Sequence, residues 1–296
     1  MKKQIPKEYV DKISLALPDR REPRLEYVHK AGCYTDAVFI DDDLVALFGY
    51  KNQDFSPGRT VDICDAIRSE VTVPIPSAVY RGDNWLIGPR FSGKPLTRAI
   101  LQDLPAKTKR SIAEKIGLFL AQLLNVELST LDRFNLRDNT KAEPYEKVES
   151  TINDFIKLVF PHLMRPAQRW IQLHCQSMDR AEYENWQAGV QHGELVPPHI
   201  YFDYGKQMFT GILDFDQATI GDPADNLFWL LWGYGQSFVD LVVETNPQLK
   251  RHYKRARFLF GYSMLRWSLK GVTEGPKWFG NLLTIPFDFK PLTPDE

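Results

Sequence analysis

Residues 190–226, VQHGELVPPHIYFDYGKQMFTGILDFDQATIGDPADN, constrain the fold of this chain more than any other stretch. A His192-Gly193-Glu194 turn is followed by His199 and then by two short apolar runs separated by a turn at Tyr204-Gly205. The spacing predicts a hairpin whose second strand, 209–213, delivers Asp214-Phe215-Asp216, after which Gly221-Asp222-Pro223 introduces an apolar helix. Glu194 on a loop and Asp214 at the end of a neighbouring strand can converge on one point. Asp216, offset by two, shares a face with Asp214 if the strand stays extended. Carboxylates so arranged suit a divalent metal ion and phosphate oxygens.

The rest of the chain sets bounds. Its 296 residues allow one large core or two lobes. A net charge of −1 gives no global field that favours nucleic acid or an anionic membrane, so neither is expected as a partner. Cys33, Cys64 and Cys175 are odd in number and widely spaced, which fits a reducing compartment better than a disulfide framework or a zinc site. The start is basic but lacks the apolar core of a signal segment, and no run reaches the roughly 18 apolar residues of a membrane span. A soluble, cytoplasmic protein is expected.

Taken in order, residues 1–22 predict a polar helix and 25–28 a strand. A loop carrying Gly32 and Tyr34 leads to a second strand at 37–40. Asp41-Asp42-Asp43 makes a hairpin turn and 44–48 returns. The Gly32 loop reads either as a plain hairpin or as a cover for phosphates, since one glycine does not decide between them. Val61, Cys64 and Ile67 at helical spacing predict one crossing helix, and two further strands follow between 71 and 88. The proline- and glycine-rich segment at 88–95 marks the boundary between a sheet lobe, 1–90, and a mainly helical lobe, 91–296.

A small antiparallel sheet with one helix, a hinge, and a helical half carrying HGELVPPHIYFD and GILDFDQATIGDP resemble the aminoglycoside phosphotransferase type of kinase-like phosphotransferases. The resemblance covers most of the chain. It implies an α+β, two-lobed protein-kinase-like fold that binds ATP or GTP with Mg²⁺, with a loop over the phosphates to which Gly32 and Tyr34 would belong. It implies roles for His192 and Glu194 in the catalytic loop, with Glu194 positioning an acceptor hydroxyl. The metal would be held by Asp214, by His199 at a position where the family has Asn, and by Asp216 where the family has Gly.

Several positions depart from the family pattern. Glu194 replaces an aspartate, and its extra methylene moves the carboxylate by roughly an ångström, a displacement that can cost about 10²-fold in rate. Imidazole is a poorer ligand than an amide oxygen for a hard ion; His199 alternatively caps the turn after Pro197-Pro198. The phosphate-binding lysine position falls on Leu47, and its ion-pair partner on Thr60. Lys51 substitutes for the lysine if the strand ends earlier, with Asp62 as the corresponding candidate for its partner. Asp222 and Asn226 are expected to brace the loop.

The acceptor is expected to be a small molecule but not a polycationic aminoglycoside, because the run 250–257, KRHYKRAR, is strongly basic; that run is expected to form a solvated face. Trp229, Trp232, Tyr234, Trp267, Trp278 and Phe279 form either core or the walls of an apolar pocket, with core expected for Trp229. Three readings follow: a pseudokinase or repurposed small-molecule site with phosphoryl transfer weakened or lost; an active phosphotransferase of a small-molecule hydroxyl; or a regulatory binding protein that uses no nucleotide.

Overall fold

A computed structural model of the chain describes residues 4–31, 34–50, 56–134, 136–139, 143–284 and 288–292. Helix α1 (Lys7–Ala16) is shorter than the expected opening helix and precedes β1 (Leu25–Val28), β2 (Thr35–Ile40) and β3 (Leu44–Gly49). With β4 (Tyr80–Gly82) and β5 (Trp85–Pro89) these form a five-stranded antiparallel sheet in the order β1-β2-β3-β5-β4. In β3, side chains alternate between the two faces: Leu44, Ala46 and Phe48 are buried, while Val45 and Leu47 are only partly so. The buried set joins Val38, Ile40 and Ile87 beneath Ile13 of α1.

Helix α2 (Pro57–Ile67) covers the expected crossing helix and starts a turn before it, inside the stretch expected to be turn-rich. Ser56 caps it, accepting from the Arg59 N–H at 3.2 Å, and Pro57 occupies the first turn, where its missing N–H costs nothing. Its apolar face does not join the α1 core. Ile63, Cys64 and Ile67 pack into a second, larger core shared with the helical half, which fastens α2 to that half. Residues 71–79 form no regular strand, so the strand expected there shrinks to β4. Pro74 and Pro76 have no N–H to give a ladder, although the Pro74 carbonyl still accepts from Ile212 N at 3.0 Å.

After β6 (Lys94–Pro95) come α3 (Arg98–Asp103), α4 (Ala106–Leu123), β7 (Arg137–Asn139), α5 (Tyr145–Leu158), α6 (Arg165–Gln176) and α7 (Arg180–Glu184). The chain then makes β8 (Gly189–Gln191), β9 (Ile200–Asp203), β10 (Met208–Ile212) and β11 (Thr219–Gly221), and ends in α8 (Ala224–Tyr234), α9 (Gln236–Thr245) and α10 (Lys250–Thr273). Two three-stranded sheets, β10-β9-β6 and β7-β11-β8, frame the 190–226 segment. The hairpin expected there is present, with β9 and β10 paired antiparallel.

The basic run is a solvated face only at its start, where Lys250 and Arg251 are exposed. His252, Arg255 and Arg257 are buried, because α10 packs against both α8 and α5. Arg257 donates to the Pro291 carbonyl at 3.1 Å, and Arg255 forms a buried ion pair with Asp222. Among the described residues no helix is long and apolar enough to cross a membrane.

Candidate active site

The loop after β8 is held from beneath. His192 is fully buried, and its Nε2–H donates to the Leu213 carbonyl at 2.8 Å while Nδ1 faces the Glu194 N–H at 3.3 Å. A ring that donates on one side and accepts on the other is neutral, and burial accordingly depresses its pKa to about 4. The backbone N–H of His192 donates to Asn226 Oδ1 at 2.9 Å, and Asn226 Nδ2 returns a bond to the Val190 carbonyl at 3.0 Å. Asp222 accepts from Ala224 N at 2.9 Å and from Arg255. Asn226 and Asp222 therefore brace the loop from α8 and its entrance. Gly193 has φ +89°, and a Cβ there would lie 2.0 Å from the Gln217 carbonyl oxygen, so only glycine lets the loop approach the segment after Asp216.

His199 joins the two halves of the hairpin. Its Nδ1–H donates to the Glu194 carbonyl at 2.8 Å, which closes the turn, and its Nε2 lies 3.1 Å from Asp214 Oδ2. Capping and carboxylate contact, read above as alternatives, occur together. With acceptor oxygens on both nitrogens the imidazolium is favoured. Burial opposes that charge, but the bonds to Asp214 and to the Glu194 carbonyl outweigh it and raise the pKa.

Asp214 does not lie on an extended strand. β10 ends at Ile212, and Asp214 adopts φ +68°, a left-handed conformation that is costly without glycine. The face-sharing argument for Asp216 therefore fails in its premise, since a turn rather than a strand carries that residue. The turn still brings the two carboxyls into hydrogen-bond contact. Burial favours the neutral form of Asp214, but bonds from His199 and Asp216 hold its pKa well below the usual range. Asp216 goes the other way: burial, then the adjacent Asp214 charge, push it up. Its Oδ1 also accepts from Thr60 Oγ1 of α2 at 2.8 Å, a bond between residues far apart in sequence that ties α2 to this turn.

Leu47 lies in a row across the first sheet between Ala37 on β2 and Leu86 on β5, both buried, so the row is apolar. Tyr34 stands at the base of the loop before β2, its carbonyl accepting from Tyr50 N at 2.9 Å. Gly32 and Lys51 lie outside the described residues. Asp62 is at the surface, ion-paired with Arg81. Among the described residues no group of three or more His, Cys, Asp or Glu side chains is arranged to hold a metal ion. The structure thus brings together Glu194 (through its carbonyl), His199, Asp214 and Asp216, and adds Thr60, which was expected only as a lost acid.

Trp229 is not core. It is partly buried, its indole N–H donates to Asp225 Oδ2 at 3.0 Å, and with Trp232 and Trp267 it lines a cavity beside β8. The density of tryptophan in α8 and α10 was the available signal for this cavity.

The profile of the phosphotransferase enzyme family (APH) matches residues 58–262. No curated protein sequence matches the chain. Among solved structures, the GDP complex of aminoglycoside 2'-phosphotransferase-IIIa is similar at a TM-score of 0.67 and 21% identity, covering 95% of this chain and 97% of that one. The streptomycin–ATP ternary complex of APH(2")-IIa gives 0.63 at 16% identity, with 95% and 97% covered. The macrolide 2'-phosphotransferase MphH from Brachybacterium faecium gives 0.58 at 15% identity, with 95% and 99% covered. The two-lobed kinase-like fold is common to all of them.

Proposed function

The chain belongs to the phosphotransferase enzyme family, and from that membership we propose that it binds a small molecule in a kinase-like cleft whose nucleotide-dependent phosphoryl transfer is weakened or lost. The observation that carries this reading is the 2.8 Å bond from Thr60 to Asp216. A kinase-type cleft grips the triphosphate with a strand lysine held by an acid on the adjoining helix. The positions that resemble these are Leu47, set in an apolar row, and Thr60, whose hydroxyl is turned to a carboxylate across the cleft. The changes agree with each other: an acid at position 60 would face Asp216 without a lysine to neutralise it.

Asp214 and Asp216 nonetheless fit a hard divalent cation. Their carboxyls are in contact, and the charge of one raises the proton affinity of the other, a conflict that a cation between them relieves. Mg²⁺ typically takes one or two protein carboxylates and completes its shell with water and phosphate oxygens. When bound, such an ion would neutralise charge on the phosphates of ATP or GTP. His199 competes for Asp214, which lowers affinity for the ion. His192 positions the loop without touching substrate, and Glu194 is the acid left to orient an acceptor hydroxyl. The nucleotides in the similar structures, GDP and ATP, support nucleotide as the co-substrate class. The contact between Asp214 and Asp216 favours, as second reading, a slow but active transferase with Glu194 as base.

Thermal-shift titration with ATP and GTP, with and without Mg²⁺ or Mn²⁺, tests this reading. Near-millimolar affinity stabilises by about 0.4 kcal/mol at half saturation, a Tm rise of roughly 1–2 °C for a chain of this size. A metal-dependent rise above about 5 °C at sub-millimolar nucleotide would contradict the loss and favour the active reading.

A further inference from the structure

The cavity beside β8 measures about 560 Å³ and opens between α8 and α10. Phe228, Trp229 and Trp232 of α8 face Trp267 of α10 across it. Its acids are all engaged: Asp222 by Arg255, Glu143 by the Tyr262 hydroxyl at 2.9 Å, and Asp225 by the Trp229 indole at 3.0 Å. Arg255 is in turn committed to Asp222 and to the Tyr183 carbonyl.

Arg266 differs from every other charged group in the lining. It is half-buried, and its guanidinium lies 5.5 Å from the Trp267 ring centroid and 6.0 Å from that of Tyr262. Among the described residues it makes no hydrogen bond or ion pair, and its buried Nε has no acceptor. A guanidinium is a planar fork matched to a carboxylate, and it gains most from such a partner where water is partly excluded. Burial also raises Asp225 to about 7, so the cavity is less negative than its three acids suggest. Lys270, 5.7 Å from the Trp267 ring, adds positive charge beside it. A polycation finds little compensation here, whereas an apolar body with one anionic group finds aromatic walls and a guanidinium with no counterion among the described residues.

We propose that this cavity takes an aromatic or otherwise apolar organic acid, with Arg266 receiving the carboxylate and Trp229, Trp232 and Trp267 enclosing the body. The proposal does not rest on the phosphotransferase reading above.

The test is a tryptophan-fluorescence titration of the full chain with 3-phenyllactate and mandelate, their neutral amides, and kanamycin. Saturable quenching by at least one acid is expected, weaker by about tenfold or more for its amide and for the acid with Arg266→Gln. Arg266→Lys is expected to recover part of the affinity, because it keeps the charge and loses the fork. An amide that binds within about twofold of its acid, Arg266→Gln binding the acid like wild type, or neither acid binding up to about 10 mM would overturn the assignment. The amide comparison needs no variant and stands even where Arg266→Gln fails to fold. Nucleotide thermal shifts on the same samples separate the two readings. Acid binding without nucleotide response keeps this site and removes only the active-transferase reading, and nucleotide response without acid binding overturns this site while leaving the nucleotide question to the size of the shift.

Discussion

Two aspartates, one in each half of the molecule, have opposite surroundings. Asp36 on β2 is 4% exposed and accepts from the hydroxyls of Tyr50 at 2.7 Å, Tyr27 at 2.8 Å and Tyr9 at 3.3 Å, and from Lys30 N at 2.9 Å, with His29 Nδ1 at 3.0 Å. Burial alone would raise its pKa, but these donors outweigh burial and lower it. Asp214 has a side chain 42% exposed, a left-handed backbone, one imidazole and a second carboxyl as neighbours. A carboxylate with every lone pair occupied fixes local structure and has nothing left for a ligand. One held in strained backbone beside another acid keeps its capacity for a cation. Sequence position does not separate the two, since both have apolar residues close by in the chain. Their donors do.

The largest test of this contrast is on stability. Asp36→Ala strands three tyrosine hydroxyls and a backbone N–H, and we expect it to lower unfolding free energy by about 3–5 kcal/mol in urea melts. Asp214→Ala, with fewer donors and more water, should cost about 1 kcal/mol or less. Equal losses at the two sites would break the comparison.

pH dependence comes next, with opposite signs. The folded pKa of Asp36 is lowered, so its contribution is present above the unfolded value near 3.9 and is lost as pH falls through the folded value. The penalty of Asp36→Asn should therefore shrink in acid. The folded pKa of Asp216 is raised, so the folded state is favoured below the unfolded value and loses stability as pH rises through the folded one. Asp216→Asn should gain about 1 kcal/mol on wild type between roughly pH 4 and 7, after allowing for its partial exposure. A variant that instead loses stability across that window contradicts the carboxyl pairing.

The smallest effect is at Thr60. Thr60→Val removes the only donor from α2 to Asp216 among the described residues, and should cost about 0.5–1.5 kcal/mol while raising the Asp216 titration further, read by carboxyl NMR.

The parts of the site fixed by local chemistry were legible in sequence. The hairpin of 200–212 and the turn at His192-Gly193-Glu194 follow from short-range pattern, the bracing by Asp222 and Asn226 was implied by the family resemblance, and each has a counterpart in the structure. The five-stranded sheet and α2 were legible from strand alternation and helical spacing in the same way. What escaped was set by long-range packing. The burial of His252, Arg255 and Arg257 depends on α5 and α8 closing over α10, which a charge run does not reveal. Asp36 gathers donors from α1, β1 and the end of β3, so no single window contains its role. The strand shared by Asp214 and Asp216 was misread because extended spacing was assumed where a positive-φ residue turns the chain. Thr60 was read as a missing acid, and its contact with Asp216 required both lobes in place.

The most direct test of the central claim, that positions 47 and 60 are where phosphoryl transfer was weakened, is nucleotide hydrolysis with water as acceptor. Wild type and the double variant Leu47→Lys/Thr60→Glu would be compared with Mg²⁺ and labelled ATP or GTP, once circular dichroism shows both are folded. Restoring a fixed cation on the phosphates should raise the rate by about tenfold or more over a wild type close to background. Wild-type hydrolysis already equal to or faster than that of the folded double variant would contradict the account.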